Sequence, residues 1–183
     1  VKKFTLIFFI CWAGLVSAQE EVATETVWRL NFINPGVEFE TPVSSLSTFS
    51  TNFGIGYNGS YPELTFGGDT GIVYVIAPFL DIQYKHFYNL DKRNAVGKNV
   101  EENSGNFISA RIVARGSSIA DNVIRKSDFD FAIGPTWGIQ RAFGKIHFLF
   151  DVGPQFYFDT EGNNGFWLLM AQLNIGLNLY SKR

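Results

Sequence analysis

Few residues of this chain carry a wide chemical repertoire: two histidines, His86 and His147, and a single cysteine, Cys11. Asp151 stands four residues after His147, a spacing that in an extended strand puts both side chains on one face, two pleats apart. Beside a serine, such a histidine would be the base of a nucleophilic site. No G-x-S-x-G elbow or comparable motif accompanies it, so no catalytic residue is expected, and a solvated or hydrogen-bonded interior histidine is the stronger reading. No Cys/His cluster has metal-ligand spacing, and neither a metal nor a cofactor is expected. A larger group consists of charged and amide side chains on the small-residue side of their segments: Asp81, Lys85, Arg111, Arg115, Asp128, Asp130, Asp151 and Gln155. If that side is an interior, the charges must pair across it, because burying an unpaired charge is costly. Arg111 and Arg115 are then expected to meet some of the aspartates.

The elements that would position these groups are strands. From 128 to 140, Phe129, Phe131, Ile133, Pro135, Trp137 and Ile139 alternate with Asp128, Asp130, Ala132, Gly134, Thr136, Gly138 and Gln140, a period of two. The same alternation runs over 146–158, with Phe148, Phe150 and Phe156 opposing His147, Asp151 and Gln155, and over 167–179, with Leu169, Leu173 and Ile175 opposing Gln172, Asn174 and Asn178. Earlier segments repeat it: Phe49, Phe53, Ile55 and Tyr57 against Ser50, Asn52 and Gly54; Leu80, Ile82 and Tyr84 against Asp81, Gln83 and Lys85; Ile108 and Ile112 against Ser109 and Arg111. A first strand over 27–40 changes phase near Pro35 and Gly36, where a bulge or bend is expected. This gives seven strands. An eighth is sought just after residue 18, between 64 and 71, or by dividing 71–88. Pro78, Pro135 and Pro154 interrupt strands and belong at edges or bulges. Short turns are expected near Ser44 and Ser45 and at Phe143, Gly144 and Lys145. Longer polar connections are expected over 60–70, 89–104, 116–127 and 159–165, of which 89–104 reads as a solvated loop.

Such long strands, with large apolar residues on one face, exceed the 5 or 6 residues of an ordinary soluble strand and approach the roughly 9–11 of a membrane-crossing one. The composition agrees: 46% hydrophobic, 16% aromatic with 19 Phe, 18 Gly, and a net charge of -2 that offers no nucleic-acid footprint. Outside the first residues no apolar run is long enough for a helical span. Val1, Lys2 and Lys3, the apolar run to Val16, and Ser17 and Ala18 read as a cleaved secretory signal peptide. Residues 1–18 are therefore expected to be removed, leaving 19–183 as a single domain without cysteine. The expected fold is all-β: an antiparallel up-and-down transmembrane β-barrel of eight strands, apolar outside, its lumen plugged by polar and charged side chains rather than forming a conduit.

The chain resembles the small outer-membrane β-barrel proteins of Bacteroidota, which are similar in architecture to the eight-stranded OmpA-like and OmpX-like barrels. The resemblance is carried by NPGVEFE at 34–40, YNLDKR at 88–93, GKN at 97–99, NSGNFISAR at 103–111 and IGPTWGIQR at 133–141. At the end the chain departs from the aromatic terminus read by the insertion machinery, since Tyr180 is followed by Ser181, Lys182 and Arg183. The resemblance implies an outer-membrane protein with a structural or surface-interaction role, whose partners are outer-membrane lipid and, during biogenesis, the barrel-insertion machinery. Two other functions compete. A lipid-modifying enzyme on the same barrel would place a Ser or Asp beside His86 or His147 at one rim, and a secreted lipocalin-like binder would turn the Phe-rich face inward around a hydrophobic ligand.

Overall fold

A computed structural model describes residues 22–57, 65–66, 74–125 and 127–182. The expected signal peptide, the side chain of Tyr57 and most of the 60–70 connection lie outside them. The strands are β1 (Thr26–Asn31), β2 (Gly36–Ser44), β3 (Ser47–Tyr57), β4 (Thr65–Phe66), β5 (Val75–Phe87), β6 (Asn106–Arg115), β7 (Ala120–Asp121), β8 (Val123–Ile124), β9 (Asp130–Phe143), β10 (Ile146–Asp159) and β11 (Asn164–Lys182). Every pairing is antiparallel. Eight strands run β1-β2-β3-β5-β6-β9-β10-β11, and β11 pairs back onto β1, so the sheet closes into a ring. The fold is an all-β, up-and-down barrel of eight strands. Closure gives each ring strand a neighbour on both sides over at least part of its length, so no ring strand is left as a full open edge.

The eighth strand comes from none of the places sought in the sequence. The segment 27–40 is a hairpin: β1 and β2 meet through a turn at Phe32, Ile33, Asn34 and Pro35. The phase change near Pro35 is this reversal, not a bulge. Asn and Pro are strong turn formers, but two short strands joined by an apolar-looking turn mimic one long strand in a linear pattern. The Pro35 carbonyl accepts the Ile55 N–H at 2.8 Å, seating the turn on β3. Of the 64–71 candidate the described residues are 65–66, which form β4 and pair with β8 outside the ring, and 75–87 is one strand.

The expected short turns are present, each of two residues, at Ser45–Leu46 and Gly144–Lys145. Pro135 and Pro154 are accommodated as glycine-proline pairs. Gly134-Pro135 on β9 faces Gly153-Pro154 on β10, and a β-carbon on Gly134 would stand 2.1 Å from the Pro154 carbonyl oxygen, one on Gly153 the same distance from that of Pro135. The two backbones approach so closely there that neither position admits a side chain. Pro154 also coincides with a register shift between β10 and β11.

Side chains alternate as the sequence indicates, but what they meet is the reverse of a soluble barrel. Phe53, Ile55, Ile112, Ile133, Leu173 and Leu179 stand exposed on the outer wall, whereas Arg29, Glu40, Lys85, Gln140, His147 and Asp151 are fully buried inside. The Phe-rich face of a lipocalin-like cavity is absent among the described residues.

Candidate functional site: the barrel lumen

The lumen is closed at the end where β1 begins and β11 ends. There residues 88–105, between β5 and β6, form a short helix α1 (Leu90–Ala95) and a 3-10 turn, Glu101–Asn103. Leu90 enters a buried cluster with Phe87, Phe107 and Leu149, flanked by Val22, Leu46 and Val100. The Phe107 ring lies across β9 at Gly138, where a β-carbon would come within 2.3 Å of it. Asn103 binds the incoming chain reciprocally: its Oδ1 accepts the Glu25 N–H at 2.7 Å and its Nδ2 donates to the Glu25 carbonyl at 2.9 Å. Glu102 and Asn103 hold positive φ values of 53° and 61°, a conformation that non-glycine residues rarely adopt and that surrounding contacts must enforce. The segment read as a solvated loop is therefore a plug. Its six charges from Asp91 to Glu102 conceal the few residues, Leu90, Asn103 and Ser104, that insert.

Above the plug lies a first layer of charge. Arg29 donates to Glu38 at 3.0 Å and to Glu40, and its Nη2 donates to the Glu102 carbonyl at 3.0 Å. Lys85 reaches Glu38 at 3.2 Å and Gln140 Oε1 at 3.0 Å. Thr48 donates to Glu40 at 2.5 Å, and Gln140 Nε2 donates to the same carboxylate at 3.0 Å. Glu40 on β2 and Gln140 on β9 are four strands apart in a ring of eight, so this bond spans the lumen's diameter.

A second layer is centred on Arg111, whose Nε and Nη2 clamp both oxygens of Asp81 at 3.0 and 2.7 Å while Nη1 donates to Asp151 at 3.3 Å. Gln83 adds a bond to Asp151 at 3.2 Å. Nearer the far end, Arg115 and Arg125 grip the two oxygens of Asp130 at 2.8 and 2.9 Å. Together the layers hold five cations, Arg29, Lys85, Arg111, Arg115 and Arg125, against five carboxylates, Glu38, Glu40, Asp81, Asp130 and Asp151. Buried charges in this number are sustainable only because they balance and are hydrogen-bonded.

Of the residues singled out from the sequence, Asp81, Arg111 and Asp151 come together in one cluster, and Arg115 and Asp130 in another. Asp128 does not join them: it is exposed, because β9 begins only at Asp130 and Asp128 lies on the rim, where its carbonyl oxygen accepts from Arg125. Gln155 is interior and buried, but its side-chain amide makes no hydrogen bond to the described residues. Arg29, Glu38 and Glu40 were missed. They fall on β1 and β2, where reading one strand in place of two scrambled the face assignment. Their alternation with Leu30, Val37 and Phe39 was the available signal.

The histidines divide. His147 is interior, as expected, and fully buried, and neither ring nitrogen makes a hydrogen bond to the described residues. His86 points to the outer wall, and its Nδ1 is 3.0 Å from Ser47 Oγ across the β3-β5 ladder near the plugged end. On the plug, burial raises the Glu102 carboxyl above its usual range, with the neighbouring Glu25 and Glu101 acting in the same direction and Arg29 and the Asn178 amide opposing them. Compared with protein-family models, curated proteins and solved structures, the chain matches none.

Proposed function

We propose that this protein is an integral outer-membrane β-barrel with a structural or surface-interaction role, closed to solutes by its polar core and by the 88–105 plug. One observation carries the reading: a closed barrel whose outer wall is apolar and whose interior is charged. In water the exposed row that includes Phe53, Ile112 and Leu179 would be a large unprotected apolar surface, whereas in a bilayer it is the matched solvent. A closed barrel is also the one strand architecture that satisfies its backbone in lipid. The end with the two-residue turns is then the periplasmic one, since barrels of this kind keep their short turns there. Lipid and, during assembly, the insertion machinery are the partners.

The test is fractionation of cells expressing the full chain, with electrophoresis of the membrane fraction before and after boiling. Outer-membrane recovery with heat-modifiable migration is expected, and recovery as a soluble protein would refute the assignment. A second reading, a lipid-modifying enzyme on the same barrel, is favoured by Ser47 and His86, which form a serine-histidine pair facing outward near a rim. It predicts labelling by a fluorophosphonate probe that is lost in Ser47→Ala. Absence of labelling in the folded barrel would dismiss it.

A further inference from the structure

Among the described residues, the wall of the barrel is incomplete at the far end. The β1-β11 ladder runs from Thr26 opposite Lys182 to Asn31 opposite Gly176, with one further bond from Phe32 N–H to the Ile175 carbonyl at 2.8 Å. β11 continues to Asn164, and along 164–174 it pairs with β10 on one side but with no strand on the other among the described residues. Across the opening, β3 outruns β2: their ladder ends at Gly54 opposite Gly36, while β3 continues to Tyr57. The β1-β2 turn is the sill of this gap.

A cavity of about 290 Å³ opens at the gap, close to the lower limit of the roughly 300–1,000 Å³ of small-molecule sites. Ile33 and Asn34 line it at the sill, Gly56 on one flank and Gln172 on the other, and it reaches inward to Asp81 and Arg111. Outside, the flanks carry exposed Ile55, Leu169 and Leu173. The opening thus joins an apolar outer wall to a polar interior, and its two sides call for different halves of one molecule.

The polar half has a definite chemistry. Arg111 is spent on Asp81 and Asp151, and Arg115, which also lines the cavity, on Asp130, so these groups ask for no further charge. Among the described residues, three acceptors here make no hydrogen bond: Gln172 Oε1 at the cavity wall, and beneath the lining Asn52 Oδ1 beside Asp81 and Gln83 Oε1. All three residues are at least nine-tenths buried. Unpaired buried acceptors are costly and are answered by donors. Backbone groups along 169–173 face the same problem if the outer wall lies in lipid.

We propose that the gap between β3 and β11 is a lateral binding site for an uncharged amphiphile with a hydroxylated head, of the monoacylglycerol type. The head enters the lumen to donate to Gln172 and the acceptors beneath it, and the acyl chain lies along Leu169 and Leu173 in the bilayer. The site rests on the membrane reading above and specifies a ligand for it. It also gives the charge layers a role as a neutral floor that admits hydroxyls and excludes ions.

The experiment uses the full chain folded into phosphatidylcholine vesicles and a monoacylglycerol with a fluorescent acyl chain, read by energy transfer from tryptophan. Saturable binding of one probe per barrel is expected. Gln172→Leu weakens it about tenfold, Ala77→Phe, which fills the cavity from its wall, abolishes it, and a fatty acid of the same chain length binds at least about tenfold more weakly, as an anion offered acceptors. Both variants keep heat-modifiable migration; should Ala77→Phe not fold, Ala171→Trp blocks the gap from outside. A heat-modifiable wild-type barrel that shows no saturation, folded variants that bind like the wild type, or equal affinity for the fatty acid would each overturn the site alone. A wild-type chain with no heat-modifiable form overturns both this site and the membrane assignment.

Discussion

Replacing Arg111 by leucine tests whether the lumen is a dry, ion-paired core or a wet channel. The guanidinium supplies three hydrogen bonds, two to Asp81 and one to Asp151, at 3.0, 2.7 and 3.3 Å. Asp151 is fully buried and Asp81 nearly so, and the other cation nearest in the stack, Lys85, is already engaged by Glu38 and Gln140. Arg111→Leu therefore leaves two buried carboxylates without their cation. Removing one partner of a buried pair destabilises by about 3–5 kcal/mol, which corresponds to a roughly 150- to 5,000-fold shift in the folding equilibrium. Replacing all three residues by apolar ones of similar size is expected to recover most of that loss, since a whole buried ionic group exchanged for a packed apolar one is often neutral. The assay is urea unfolding of the barrel in vesicles, followed by tryptophan fluorescence and by the heat-modifiable band. A single-variant loss below about 1 kcal/mol would refute the reasoning, because only carboxylates already solvated by water tolerate the missing cation so cheaply.

Other outcomes follow from the same geometry. Ile112→Arg, at the middle of β6 on the outer wall, should cost about 2–4 kcal/mol in vesicles, and an unchanged unfolding midpoint would argue against lipid contact there. Leu90→Ala should cost about 2–5 kcal/mol by opening a cavity in the plug, measured by the same unfolding curve, with a null effect showing that 88–105 does not pack. Planar-bilayer recordings of the wild type should show no steady conductance, since Gln140 and Glu40 bridge the lumen above a closed end. Glu102 has a raised carboxyl pKa, so its contribution is present in full below the ordinary carboxylate range and is lost as pH rises through the raised value. Hydrogen exchange of the plug amides should therefore be slower near pH 4 than at neutrality, once corrected for intrinsic rates, and Glu102→Gln should flatten that difference.

Period-two alternation was enough to identify the long ring strands β3, β5, β6, β9, β10 and β11 and to sort most of their faces, because it is a local property: successive β-carbons point to opposite sides whatever the partner strand is. It placed Asp81, Arg111 and Asp151 on one surface, and charge neutrality then required that they meet. The hairpin within 27–40 was not legible, since a reversal and a change of phase look alike along a line, and with it Arg29, Glu38 and Glu40 were lost from the interior. Nor was the plug, whose mixed charges match a solvated loop while three buried residues do the anchoring. Register is the deepest of these omissions. Where β1 stops along β11, and so whether the wall is whole or gapped, depends on a stagger summed around eight strands that no single segment encodes. The amino-acid pattern determined that there would be a polar face and an apolar one; closure of the ring decided which faced inward, which charges became partners and where the wall was left open.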